Sequence, residues 1–126
     1  MTPLAARPAP AVDDAPATDR AAAGAALLGR HLPGWADLVT RPVQVDTVTD
    51  CPVAQAYGSW VGGALRMDLA GGSTVGYGFL SRGNHADQVA LEAAWAGEIT
   101  RRGGPVPPRD GARGGLARLL AWVRAA

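Results

Sequence analysis

Leu91, Trp95 and Ile99 recur every four residues with Ala94 beside them, and that spacing commits residues 84–102 to a helix with one strongly apolar face. Asn84 opens the segment as a cap, and Asp87 stands where an acid can reach back to the free amides of the first turn. Glu98 and Arg102 fall one turn apart on the outer side, in the favourable order. Such a helix needs other apolar surfaces to cover it, and at 126 residues the chain holds one domain at most. A folding unit of roughly 80 to 90 residues buries only about 60 to 65% of its unfolded surface, so the large side chains must converge on one place. Four tryptophans help to make that core.

Other helices are expected around it. Over residues 18–31, Thr18 can cap, Asp19 suits the first turn, and Ala21, Ala25, Leu28 and Leu32 share a stripe that Pro33 and Gly34 end. Trp35, Leu38 and Val39 suggest one more helical turn, stopped by Pro42. A further helix opens at Thr49 or Asp50, with Pro52 in its first turn, and carries Val53, Ala56, Tyr57, Trp60, Ala64 and Met67 at helical spacing. Gly58, Gly62 and Gly63 each cost about 1 kcal/mol against alanine there, so they either admit a neighbour or end the helix, and close packing is expected at Gly58. Val75, Tyr77 and Phe79 alternate as in a short strand whose partner would be residues 43–45. The expected fold is mainly α: a small helical domain of three to four helices with at most a short two-stranded β element.

The ends differ from the middle. Residues 1–17 read as a disordered Ala/Pro-rich arm, without the uninterrupted apolar block of a secretory signal, and residues 18–102 as the helical domain. Residues 103–115 form a Gly/Pro/Arg linker. Residues 116–126 form a short amphipathic C-terminal helix, with Leu116, Leu119, Leu120 and Val123 on one face, Trp122 beside it, and Arg118 and Arg124 outside it. Through Ile99 there are six arginines against ten acidic residues, and from Thr100 onward six arginines against Asp110 alone. That basic tail could fold back on the acidic body, reach for phosphates or sit on an anionic surface. All twelve basic residues are arginine, which fits the codon bias of a GC-rich genome and weakens any reading of arginine as chosen over lysine.

Residues able to carry chemistry are few. Cys51, the one cysteine, excludes an internal disulfide and a multi-cysteine zinc site and fits a reducing cytoplasm. At the start of a helix, and close to His31 or His85 if the fold brings one there, it could act as a thiolate nucleophile. Asp50 beside it opposes that, and a buried packing role is the plainer reading. Neither histidine has metal-ligand spacing with cysteine or a carboxylate. Thr74 to Gly78 spells the TVGYG string of potassium-selective pores, but no apolar run of 18 residues exists anywhere, and the match is taken as coincidence. No lysine-bearing phosphate loop occurs. Asp46 and Asp50 straddle a strand-to-helix junction, which is no dependable carboxylate pair for acid/base work.

Taken in order, LLGRHLPGWADLV, DCPVAQAYGSW, YGFL and DQVALEAAWAGEI resemble a family of small uncharacterised proteins in actinobacteria and their phages. The matching positions are Leu27, Leu28, Pro33, Gly34, Trp35, Asp50, Cys51, Gln55, Tyr57, Gly58, Gly78, Phe79, Leu91 and Trp95. The resemblance spans roughly residues 22–100, leaves both ends outside, and implies no activity; Trp60 and the basic tail depart from it. The expectation is a non-enzymatic cytoplasmic module that binds a protein partner or itself. It requires no metal or cofactor, and its contact residues would be Arg113, Leu116, Arg118, Leu119, Trp122 and Arg124. One alternative is nucleic-acid binding through the same arginines, and another is a thiol-dependent enzyme using Cys51.

Overall fold

The buried Arg20 guanidinium meets the Asp87 carboxylate across 67 residues of chain, and the helices assemble around that pair. The computed structural model describes residues 8–69 and 73–104. Its elements are α1 (Ala17–His31), a 3-10 turn (Trp35–Leu38), α2 (Pro52–Tyr57), α3 (Trp60–Arg66) and α4 (His85–Arg101), with no strand among the described residues. The mainly helical fold is therefore the one that the apolar periodicity dictates. Helices α1 and α4 form the principal pair, while α2 bridges α3 and the 3-10 turn.

Helix α4 follows its sequence pattern closely. Asn84 caps it by accepting from the Asp87 amide at 2.8 Å, and Leu91, Trp95 and Ile99 are fully buried on one face. Asp87 does not reach back to the first amides. Its oxygens accept both terminal nitrogens of Arg20 at 2.7–3.1 Å and the Arg82 amide at 2.8 Å, and the Arg82 guanidinium stands 3.3 Å away. Helix α1 begins one residue before Thr18, with Pro16 at its cap and no side chain capping it, so Thr18 does not serve that role. Gly24 on α1 is a close approach: a β-carbon there would overlap the Tyr77 carbonyl oxygen and stand 2.8 Å from the Trp95 ring.

The anticipated helix from residue 50 to Met67 is two helices. Gly58 adopts a left-handed conformation (φ 86°) and ends α2, with open space where a side chain would stand, so it is a stop and not a packing site. Close packing falls instead at Gly63, where a β-carbon would overlap Val53 and press on Tyr57. Ser59 then restarts the chain as the α3 cap, accepting from the Gly62 amide at 2.9 Å.

Residues 73–79 also depart from expectation. Their backbone bonds are local, Tyr77 N–H to Ser73 O at 3.0 Å, Gly78 N–H to Val75 O at 2.9 Å and Phe79 N–H to Thr74 O at 2.9 Å, so the segment is a coiled turn and not a strand. Residues 43–45 bond elsewhere, with the Gln44 amide donating to Asp50 O at 3.1 Å. The turn still delivers Tyr77 and Phe79 to the core. Phe79 stacks on Trp95 (centroids 5.7 Å, planes 18° apart), Trp95 meets Trp35 edge to face at 5.9 Å, and the Trp95 indole donates to Gly78 O at 2.7 Å. Trp60, half-buried, leans edge-on against Phe79.

Part of the N-terminal arm is laid against this turn, where composition alone suggests disorder. Ala11 N–H donates to Gly76 O at 3.0 Å, and the Tyr77 hydroxyl donates to Pro8 O. The linker beyond Gly104 and the C-terminal helix lie outside the described residues.

Removing one charge of the Arg20–Asp87 pair leaves the other buried and uncompensated. Asp87→Asn is expected to lower unfolding free energy by about 3–5 kcal/mol in urea titrations, well above an exposed control such as Asp13→Asn.

Candidate functional site

Cys51 is the first residue that the chemistry of the sequence singles out, and its surroundings make it structural. Its Sγ accepts the Ala54 amide at 3.4 Å and so caps α2 in place of Thr49 or Asp50, with Pro52 filling the first turn. The residue is 2% exposed. Burial raises the thiol above its ordinary pKa, outweighing the three backbone amides that favour the thiolate, and the Asp50 charge adds to the rise. His31 and His85 both lie at exposed positions, and no group of three or more histidine, cysteine or acidic residues could hold a metal among the described residues.

The carboxylates are likewise committed to the fold. Asp46, at φ 71°, accepts the Ser81 amide at 2.8 Å and the Ser81 hydroxyl at 2.6 Å. Asp50 accepts Arg41 Nε at 2.8 Å, while Gln55 links Arg41 O, the Arg41 amide and Asp50 O. The two aspartates thus have separate partners and do not make an acid/base pair. The TVGYG string lies within the turn that packs on α1 and α4, and no described helix is long and apolar enough to cross a membrane.

A surface cavity of about 220 Å³ opens beside the 3-10 turn, lined by Gly29, Gly34, Trp35, Ala36, Asp37 and Arg102. Gly29 on α1 leaves the Nε1 edge of the Trp35 indole without a side chain beside it, and left-handed Gly34 lines the same cavity. Trp35 is 2% exposed, yet its Nε1–H has no acceptor among the described residues and is not among their sealed, unpaired polar atoms, so solvent reaches it. The N–H lies at the Gly29 wall, 3.8 Å from where a β-carbon on that glycine would stand. Arg102 lies over the Trp35 ring, 5.6 Å from its centroid, and is held by Glu98 Oε1 at 2.6 Å and Glu98 O at 3.0 Å. Asp37 is exposed, and its carboxylate has no partner among the described residues. The cavity therefore offers the Trp35 N–H, the Arg102 guanidinium and the Asp37 carboxylate around an indole.

Sequence reasoning passed over this cavity. Its one visible signal was Gly34 just before Trp35, read only as the end of a helix. The anticipated contact residues Arg113, Leu116, Arg118, Leu119, Trp122 and Arg124 lie outside the described residues, so the structure does not place them.

Compared with known proteins, the chain matches no family model, no curated protein and no solved structure.

A thiol held neutral by burial stabilises the fold at pH values below the ordinary cysteine pKa, and that contribution is lost as pH rises through the raised value. Iodoacetamide labelling of Cys51 at pH 7 is expected to run far slower than that of a free cysteine and to reach the free rate in denaturant. Fast labelling of the folded chain would make the residue a reactive thiol instead.

Proposed function

We propose that this chain is a small non-enzymatic cytoplasmic module that works by binding another protein, and that the outer face of α3 is part of its contact surface. The observation that carries this reading is the exposure of Val61 and Leu65, 64% and 76% respectively, one turn apart on a helix whose other side rests on α2. Val48, 68% exposed, adds a further apolar side chain to the surface of a small body. Apolar exposure of this kind on a small domain favours association. The tail residues Leu116, Leu119 and Trp122 would extend that contact or dock on the body itself. The likeness to small proteins of actinobacteria and their phages belongs to the same proposal and adds no activity to it.

Nucleic-acid binding through the tail is the competing reading, and the pairing of Arg101 and Arg102 with Glu98 weakens it. Two of the six arginines that make the end of the chain basic share one carboxylate, which offsets one of their two charges and reduces the phosphates they could contact.

Val61→Glu with Leu65→Glu leaves the core untouched, so folding should change by no more than about 0.5 kcal/mol per site. The double variant is expected to lose the proteins that the native chain captures from lysate, and nuclease treatment to leave that capture intact. Capture that disappears with nuclease and falls steeply with salt would replace this reading with the nucleic-acid one.

A further inference from the structure

The described chain ends at the wall of the Trp35 cavity. Arg102 lines it, and a β-carbon on Gly104 would stand 2.7 Å from the carbonyl oxygen of Ala36, another lining residue. Residues 105–126 follow, and they include the apolar series Leu116, Leu119, Leu120 and Val123 with Arg118 and Arg124 at its edges. We propose that the cavity beside the 3-10 turn is the docking site of this chain's own C-terminal segment, residues 116–124, bound in cis.

Three features of the cavity fit that occupant. The Trp35 N–H, open to solvent on the cavity side, has no acceptor among the described residues, and a backbone carbonyl of an incoming segment supplies one. The glycine-flanked space beside the indole admits a leucine side chain, and Leu38, 47% exposed, extends the apolar ground next to it in sequence. The Asp37 carboxylate at the rim, unpaired among the described residues, matches Arg118 or Arg124, and Glu98 offsets part of the Arg102 charge on the lining. The exposed face of α3 fits the same segment less well, because that helix carries Arg66 and no acidic residue to set against the arginines.

Reach and concentration agree. Residues 105–115 span up to about 36 Å when extended, comparable to the diameter of a domain of this size, so the segment returns to the cavity without strain. Tethering at that length holds the segment at roughly millimolar effective concentration, and a weak contact suffices. This docking does not depend on the proposed protein partner, whose contact on α3 is read by separate substitutions.

The test uses the full chain with Ala126→Cys carrying a nitroxide and with ¹⁵N in the tryptophan indoles. The Trp35 indole resonance is expected to lose most of its intensity relative to the reduced label, and to recover it in both Asp37→Lys and Leu119→Asp. Asp37 is exposed, and folding of both variants is checked by an unchanged Trp95 indole chemical shift with the label reduced. An unaffected Trp35 resonance would overturn the proposal, as would broadening that persists in both variants. Broadening seen only when labelled unenriched chain is mixed with unlabelled enriched chain would assign the cavity to a second copy and overturn docking in cis. Capture through Val61 and Leu65 can succeed or fail under any of these outcomes.

Discussion

A bidentate ion pair sealed between α1 and the first turn of α4 sets the register of the whole molecule. Arg20 is fully buried, and its two terminal nitrogens both reach Asp87 while its Nε–H has no partner among the described residues. Burying two charges carries a large desolvation cost, which is offset only where geometry is good and the remaining lone pairs are used. Asp87 meets that condition by also accepting the Arg82 amide, so one carboxylate ties together α1, α4 and the loop leading into α4. Sliding either helix by one turn would strand both charges in the interior. The pair therefore selects one packing of two helices whose apolar faces alone would tolerate several, a use of buried charge as specification and not as net stabilisation.

The aromatic core depends on that fixed register. With α1 and α4 held, Gly24 lets the 73–79 turn and the Trp95 ring approach α1 so closely that no side chain fits between them. The turn then sets Phe79 flat on Trp95 and brings Gly78 O within 2.7 Å of the Trp95 N–H, satisfying the buried polar end of the indole. Aromatic contacts continue to Trp35 on one side and Trp60 on the other. Ser81, 8% exposed, closes the same loop by holding both oxygens of Asp46, which binds the segment before α2 to the entrance of α4.

Periodic features of this fold are legible in the residues, and the pairings between distant residues are not. Leu91, Trp95 and Ile99 announce α4 because a four-residue spacing has one simple geometric meaning, and the Glu98 to Arg102 pair follows from the same spacing. Arg20 gave no such sign: in a stripe of alanines it reads as a solvated charge, and only its partner 67 residues away makes it a core residue. Alternation misled at Val75, Tyr77 and Phe79, since a tight turn can also send two residues inward, as Tyr77 and Phe79 show by their burial. Gly58 and Gly63 are indistinguishable by propensity. Which of them ends a helix and which is packed on depends on the positions of Val53 and Tyr57. The cavity is less legible still, because it consists of side chains that are missing at Gly29 and Gly34.

The roles of Cys51 and Trp35 follow from what each does with a polar atom beside the core. Cys51 turns its sulfur onto the Ala54 amide, so its weak acceptor capacity is spent on starting α2, and burial suppresses the thiolate that chemistry would need. Trp95 spends its N–H on Gly78 O in the same way. Trp35 differs: it is as deeply packed as Trp95, but its N–H reaches an open wall and not an acceptor of the fold. A folded chain that satisfies one indole and leaves its neighbour's donor facing a cavity has an open hydrogen-bond donor at that cavity. That spot adjoins the point where the described chain ends, which is why the acceptor is sought in the residues that come next and not in a diffusing ligand.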